Sequence, residues 1–263
     1  MKKFLAYCSI AWQHSNSSRG EHLVWMFIEV FPVLVMTSFW GNMENTGRVS
    51  HLVAGQLILY SILALVISPL VSVGFEGWMI NTVKDGTIST KIIKPMSLQL
   101  YLMANELMWR TTTILQLMPV MIIFLPRLLT IQGVSAQPPA IGLGIALTLF
   151  SFFLRFFVSW LIFLTSFWID QANSLVHFRW MAEGFFGGQW LPLFFFPSIV
   201  RQIASWTPFY TWYFVPIQLM TGTMSAQEGL TYAWRALGWF FVLFFLGQAM
   251  WKQALKKYSA VGG

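Results

Sequence analysis

The chain has 263 residues, of which 57% are hydrophobic, 17% aromatic and only 10% charged, with a mean hydropathy of +0.64. Soluble domains carry roughly 25% charged residues, so 16 basic and 9 acidic side chains cannot cover a water-soluble surface of this size. A soluble enzyme, a disordered tail and a disulfide scaffold are excluded, and the composition points to an all-α membrane protein. A spanning helix needs about 20 apolar residues, so six spans would use about half of the chain. The net charge of +7 is no nucleic-acid footprint, because the basic residues are scattered and never form a long run. A single cysteine, Cys8, rules out an internal disulfide and any Cys-rich metal site.

Residues 1–20 are expected to form an amphipathic helix on the membrane surface, with Phe4, Leu5, Cys8, Ala11 and Trp12 on one face. A frayed terminus is the alternative. No cleavable signal is expected, because Lys2 and Lys3 precede only a short stretch of mixed character before Gln13. Leu5-Ala6-Tyr7-Cys8 superficially resembles a lipoprotein signal, but Tyr7 is too bulky and too near the start. Residues 21–258 then read as a six-span domain, followed by a short tail at 259–263. The first span is His22–Trp40, with Glu29 and Pro32 inside it, and the second is His51–Gly74. The stretch 75–97 is strongly polar and contains the turn signal Asp85-Gly86. Residues 98–110 predict a helix that starts in the interface and runs into a third span ending near Pro126.

After a loop over Arg127–Pro139 comes a long fourth span, Ala140–Ile169, with Arg155 near its centre. Asp170–Arg179 is a polar turn, and the fifth span is expected from Leu175 to Pro197, with Glu183 and Gly187-Gly188 inside. Residues 198–231 are apolar but broken by Pro208, Pro216 and Gly222. They read as two re-entrant helices dipping in from outside, sheltered by protein or lining a watery cavity. The last span is Tyr232–Trp251.

With six spans and the N-terminus inside, Lys2, Lys3, Arg19, Lys84, Lys91, Lys94, Arg110, Arg179, Lys252, Lys256 and Lys257 face the cytoplasm. Only Arg48, Arg127, Arg201 and Arg235 lie outside. This bias follows the positive-inside rule and puts both termini in the cytoplasm. A seventh span over 198–231 would turn the C-terminal lysines outward.

No GxxxxGK[ST] loop occurs, so the chain is not expected to bind ATP in that manner, and HExxH and GxSxG are also absent. The histidines His14, His22, His51 and His177 stand apart, which suits interface residues better than metal ligands. Glu29, Arg155 and Glu183 would each cost at least about 2.5–3.5 kcal/mol near a span centre if they faced lipid. They are translocation or gating candidates, or else a structural ion pair, with snorkelling as a further option for Glu183.

The polar loop reads Asp85-Gly86-Thr87-Ile88-Ser89-Thr90-Lys91-Ile92-Ile93-Lys94-Pro95-Met96-Ser97, followed by Tyr101 and Asn105-Glu106-Leu107. Further on stand Glu183-Gly184-Phe185-Phe186-Gly187-Gly188, Pro192-Leu193, Phe196-Pro197 and Pro208-Phe209. Both segments, and the plan of the whole chain, resemble the permeases of type-2 ABC exporters. The closest likeness is to the bacterial branch often paired with a second, related permease. Lys94 stands where arginine is commoner before the proline, which keeps the charge and loses bidentate bonding.

The resemblance implies a permease subunit of the bacterial inner membrane, with no catalytic residues, cofactor or metal of its own. A cytoplasmic pair of ABC ATPases would carry ATP and Mg²⁺, and a second permease, identical or related, would complete the pore. Asp85, Gly86, Thr87, Ile88, Lys91, Ile92, Lys94 and Pro95 would form a coupling helix seated on an ATPase. Asp170, Asn173 and His177 would make a second contact. The cargo would be hydrophobic or amphipathic and moved by ATP-driven alternating access. An ion-coupled transporter or channel using Glu29 and Glu183 is the main alternative. A membrane enzyme lacks the clustered His, Asp or Glu it would need, and an assembly scaffold stays open.

Overall fold

The computed structural model describes residues 7–13, 19–94, 96–130 and 136–258. Lys2, Lys3, Phe4, Leu5, Pro95 and the expected tail at 259–263 lie outside the described residues, as does the side chain of Glu29. The structure is 81% helix and, among the described residues, has no strand. The helices are α1 (7–13), α2 (Arg19–Asn45), α3 (His51–Val71), α4 (Glu76–Lys84), α5 (Ser89–Ile92) and α6 (Leu98–Thr130). They continue as α7 (Pro138–Thr165), α8 (Asn173–Phe186), α9 (Ser198–Trp206), α10 (Phe214–Thr221) and α11 (Ala226–Lys257). Among the described residues, four segments are long and apolar enough to cross a bilayer: Met26–Asn45, His51–Lys84, Pro138–Thr165 and Ala226–Lys257.

Local chemistry sets the boundaries. The Ser50 hydroxyl accepts the Val53 N–H at 3.4 Å to start α3, and Ser225 with Glu228 forms a capping box that starts α11. Pro138 and Pro139 occupy the first turn of α7, where their missing N–H groups leave no helical bond unmade. Gly86 turns the chain after α4 at φ +70° and Gly222 stops α10 at φ +77°, a region that favours glycine.

Three expected boundaries shift. The polar stretch 75–97 carries a further helix, α4, ahead of the short α5. The last span begins at Ala226 rather than Tyr232, because the capping box lies upstream of the apolar run. The expected fifth span over 175–197 is not one helix. Here α8 stops at Phe186, and an irregular segment with a 3-10 turn at Leu193–Phe195 follows. Fourteen helical residues reach only about 21 Å, short of the ~30 Å hydrocarbon core. The 198–231 region is broken as its prolines imply, into α9, a 3-10 turn at Pro208–Thr211, and α10.

At the centre stands α7, packed most extensively on α11 and α10 and also on α3 and α4. An aromatic ladder joins these helices, with Phe156 on Phe75 at 5.2 Å, Phe157 on Phe240 at 5.5 Å and Trp160 on Trp251 at 5.3 Å between ring centres. Small residues allow the approach, as in other membrane helix pairs. A Cβ on Gly247 would sit 3.0 Å from the Trp160 ring, and one on Gly144 would sit 3.1 Å from the Pro216 carbonyl. Gly142, one half-turn away, has open space around it. Replacing Gly144 by leucine is therefore expected to destabilise the fold by about 1–3 kcal/mol through overpacking. Gly142→Leu should be close to neutral. Thermal melting of the two variants in the same detergent, read by size-exclusion chromatography, checks the difference.

Candidate functional site

The i, i+4 spacing of Arg179 and Glu183 puts both on one face of α8, and they pair at 2.6 Å. That face looks into the bundle. Arg179 reaches Glu76 at the start of α4 at 2.7 Å, and Glu183 meets Arg155 of α7 at 2.6 Å. The result is a chain of alternating sign, Glu76–Arg179–Glu183–Arg155, in which two acids balance two bases. Glu76 and Glu183 are 1% exposed, and the two arginines 6%. Burial of ions is tolerated only where each is paired and hydrogen-bonded. Arg179 Nη1 donates to Glu183 Oε2 at 2.6 Å, and its Nη2 stands 2.7 Å from Glu76 Oε1 as an ion pair without hydrogen-bond geometry. The Tyr213 hydroxyl donates to Glu183 Oε1 at 2.8 Å and accepts from Arg155 Nη1 at 3.2 Å. The Trp212 ring lies 5.7 Å from the Arg155 guanidinium. On α6, Glu106 pairs with Arg110 at 3.1 Å and accepts the Gly74 N–H at 3.3 Å.

Of the three intramembrane charges singled out in the sequence, the structure brings Arg155 and Glu183 together. The Glu29 side chain lies outside the described residues. Glu183 does not snorkel; it is buried and bound on both sides. Glu76 and Arg179 were expected in polar segments and are the members that sequence reasoning missed. For Arg179 a signal existed, its helical spacing from Glu183. For Glu76 none did, because an acid at the edge of a polar stretch normally faces water.

Removing one member of a buried pair leaves its partner uncompensated, at a cost of about 3–5 kcal/mol. Arg155→Met should therefore lower the melting temperature markedly. Adding Glu183→Gln, which restores the charge balance against Glu76 and Arg179, should recover part of the loss. Melting curves of the single and double variants test this, and a double variant weaker than the single one would contradict the pairing.

The loop at the other side of α4 is braced from within. Ile88 is fully buried, its N–H bonds to the Thr82 carbonyl at 3.0 Å, and the Tyr258 hydroxyl donates to the Gly86 carbonyl at 3.1 Å. Lys94 Nζ sits 4.1 Å from the centre of the Tyr101 ring and 6.0 Å from that of Tyr7, while Lys91 lies 5.0 Å from Trp78. Partial burial first, and then the Lys94 charge, hold the Lys91 ammonium below the usual lysine pKa. Lys84, Asp85, Thr87, Thr90 and Ile93 remain exposed around this scaffold. Asn173 donates to Asn81 of α4 at 3.4 Å, which brings the second predicted contact beside the first. Asp170 and His177 are exposed there, with His177 Nδ1 3.0 Å from the Asn173 carbonyl. Pro95 lies outside the described residues.

No curated protein matches the chain. The family model described as ABC-2 family transporter protein matches residues 23–262, nearly the whole sequence. The buried ion chain, the apolar helices and the braced loop thus belong to a transporter's membrane subunit, and the chain is a member of the ABC-2 transporter family.

Proposed function

We propose that the chain forms half of the pathway of an ATP-driven exporter in the bacterial inner membrane. A second permease, identical or related, supplies the other half. Two separate ABC ATPases carrying ATP and Mg²⁺ dock from the cytoplasm on Asp85, Gly86, Thr87, Ile88, Lys91, Ile92, Lys94 and Pro95. Asp170, Asn173 and His177 make a second contact. In this reading α2, α3, α6, α7, α8 with residues 187–197, and α11 make six crossings. Both termini face the cytoplasm, while α9 and α10 dip in from outside. Helices of nine and eight residues reach only about 12–14 Å, which suits partial insertion.

One observation carries the reading: an unbroken mechanical line from the loop to the core. Ile88 and Gly86 fix the loop to α4 and to Tyr258. At its other end, α4 begins at Glu76, which is bound to Arg179 of α8, and α8 in turn holds Arg155 of α7. Closure of the ATPases against α5 must then move α4 and α8 together or break a buried ion pair, and packed elements of this kind switch rather than bend. An ion-coupled transporter is the weaker reading. Glu76 and Glu183 already bind arginines, so a proton or cation would have to displace them. A hydrophobic or amphipathic cargo fits the apolar, aromatic bundle.

The chain, expressed with its neighbouring genes and purified in mild detergent, should retain a stoichiometric ATPase. Lys91→Glu with Lys94→Glu should release that ATPase, or lower its activity about tenfold, while the chain's own melting curve stays within a few degrees of wild type. Purification without any nucleotide-binding partner would refute the proposal.

A further inference from the structure

A cleft of about 70 Å³ opens between the first turns of α3 and the end of α10. It lies away from α4 and α5, near the α2–α3 connection. Apolar side chains, among them Val53, Leu57 and Phe194, make most of its wall, and Gln56, Gln218 and Thr221 supply polar groups. Ionised side chains are absent from its lining.

Its polar groups are unevenly satisfied. The Tyr60 hydroxyl donates to the Gly188 carbonyl at 2.7 Å. The Thr221 and Thr223 hydroxyls donate to the Gln218 main-chain carbonyl at 3.2 and 3.1 Å. The Gln218 side chain is only 9% exposed, lines the cleft, and has no hydrogen-bond partner among the described residues. Its amide opens onto the cleft rather than being sealed in the interior, so two donors and an acceptor are available there to water or a ligand. A water needs roughly 10–15 Å³ of such space, so the cleft takes several waters, or the edge of a larger polar group that reaches the Gln218 amide.

We propose that this cleft binds a neutral, hydroxyl- or amide-bearing group, the headgroup of the amphipathic cargo. The donor and acceptor set suits a hydroxyl or an amide, whereas a formal charge would meet no ionised side chain in the lining. Gln56 and Tyr60 lie one to three turns into α3, roughly 8–14 Å along the helix from His51, a depth that suits a headgroup whose chain rests against apolar helix faces. This deepens the export proposal and names its substrate class, but it is tested without any ATPase. Its failure is therefore separable from failure of the transport reading.

The full chain would be placed in nanodiscs with Cys8→Ala and a reporter substitution, Thr223→Cys, at the rim of the cleft. Maleimide labelling would be followed while octyl glucoside, octyl sulfate or octyltrimethylammonium is added below its micellar concentration. The expected result is protection by the glucoside, at least about tenfold weaker protection by the two ions, and about tenfold weaker glucoside binding after Gln218→Leu. Gln56→Leu, at the more exposed wall, gives a second reading should Gln218→Leu fold poorly. Free glucose separates the sources: protection by glucose as well assigns a soluble polyol, and protection by the glucoside alone assigns an amphiphile. Equal protection by all three octyl compounds, or none by either glucose or its glycoside, would overturn the proposal.

Discussion

Two carboxylates and two guanidiniums, all nearly inaccessible to solvent, must stay paired or the bundle would contain an uncompensated charge. Most of the arrangement around α8 follows from that requirement. With Arg179 and Glu183 turned inward, the other face of α8 presents Phe178, Trp180, Met181 and Phe185 outward. This helix is the reverse of a soluble amphipathic one, with its charge inside and its aromatics outside. Such a face suits lipid or a partner chain, and the ions suit a protein interior.

The break after α8 serves the same network. Gly187 accepts the Phe214 N–H at its carbonyl, at 3.0 Å, and a Cβ there would crowd both the Glu183 carbonyl and the Tyr213 ring. Without a side chain at that point, residues 209–214 fold back against the end of α8 and deliver the Tyr213 hydroxyl to Glu183. Irregular backbone inside a membrane needs protein around it. Here α3 provides some of that cover through the hydroxyl of Tyr60 on Gly188 and through Ser68 near Gln189. The short α10 is held at the same time against α7, where Gly144 leaves room for Met220 and the Pro216 carbonyl.

Polar chemistry is thus sorted into three levels. Lysines on aromatic rings surround the α5 turn, balanced ions occupy the interior, and uncharged amides and hydroxyls stand among apolar side chains in the cleft between α3 and α10. The first level resembles a docking surface, since its charges remain partly hydrated. The second is a brace, because every charge is already committed. The third offers hydrogen-bonding groups that open onto a cleft with no ionised side chain in its lining.

Much of this protein was fixed by its sequence alone. Apolar runs, with few charges to interrupt them, required helices in a bilayer. The Asp85-Gly86 turn, the prolines at 138, 139 and 208, and the glycine at 222 marked breaks, because each acts through its own backbone geometry. The likeness of the 85–97 and 183–209 segments to the ABC-2 permeases was likewise readable. Arg155 and Glu183 could be named as charges needing partners, since the cost of exposing them to lipid depends on the residue and its depth alone. Which partners they found could not be read. Glu76 is 107 residues from Glu183 in sequence, and only the packing of α4 against α8 and α7 brings it to Arg179. The early end of α8 and the unpaired amide of Gln218 were also decided by tertiary structure. Hydrophobic periodicity records that a side chain is buried, but it does not record what stands opposite.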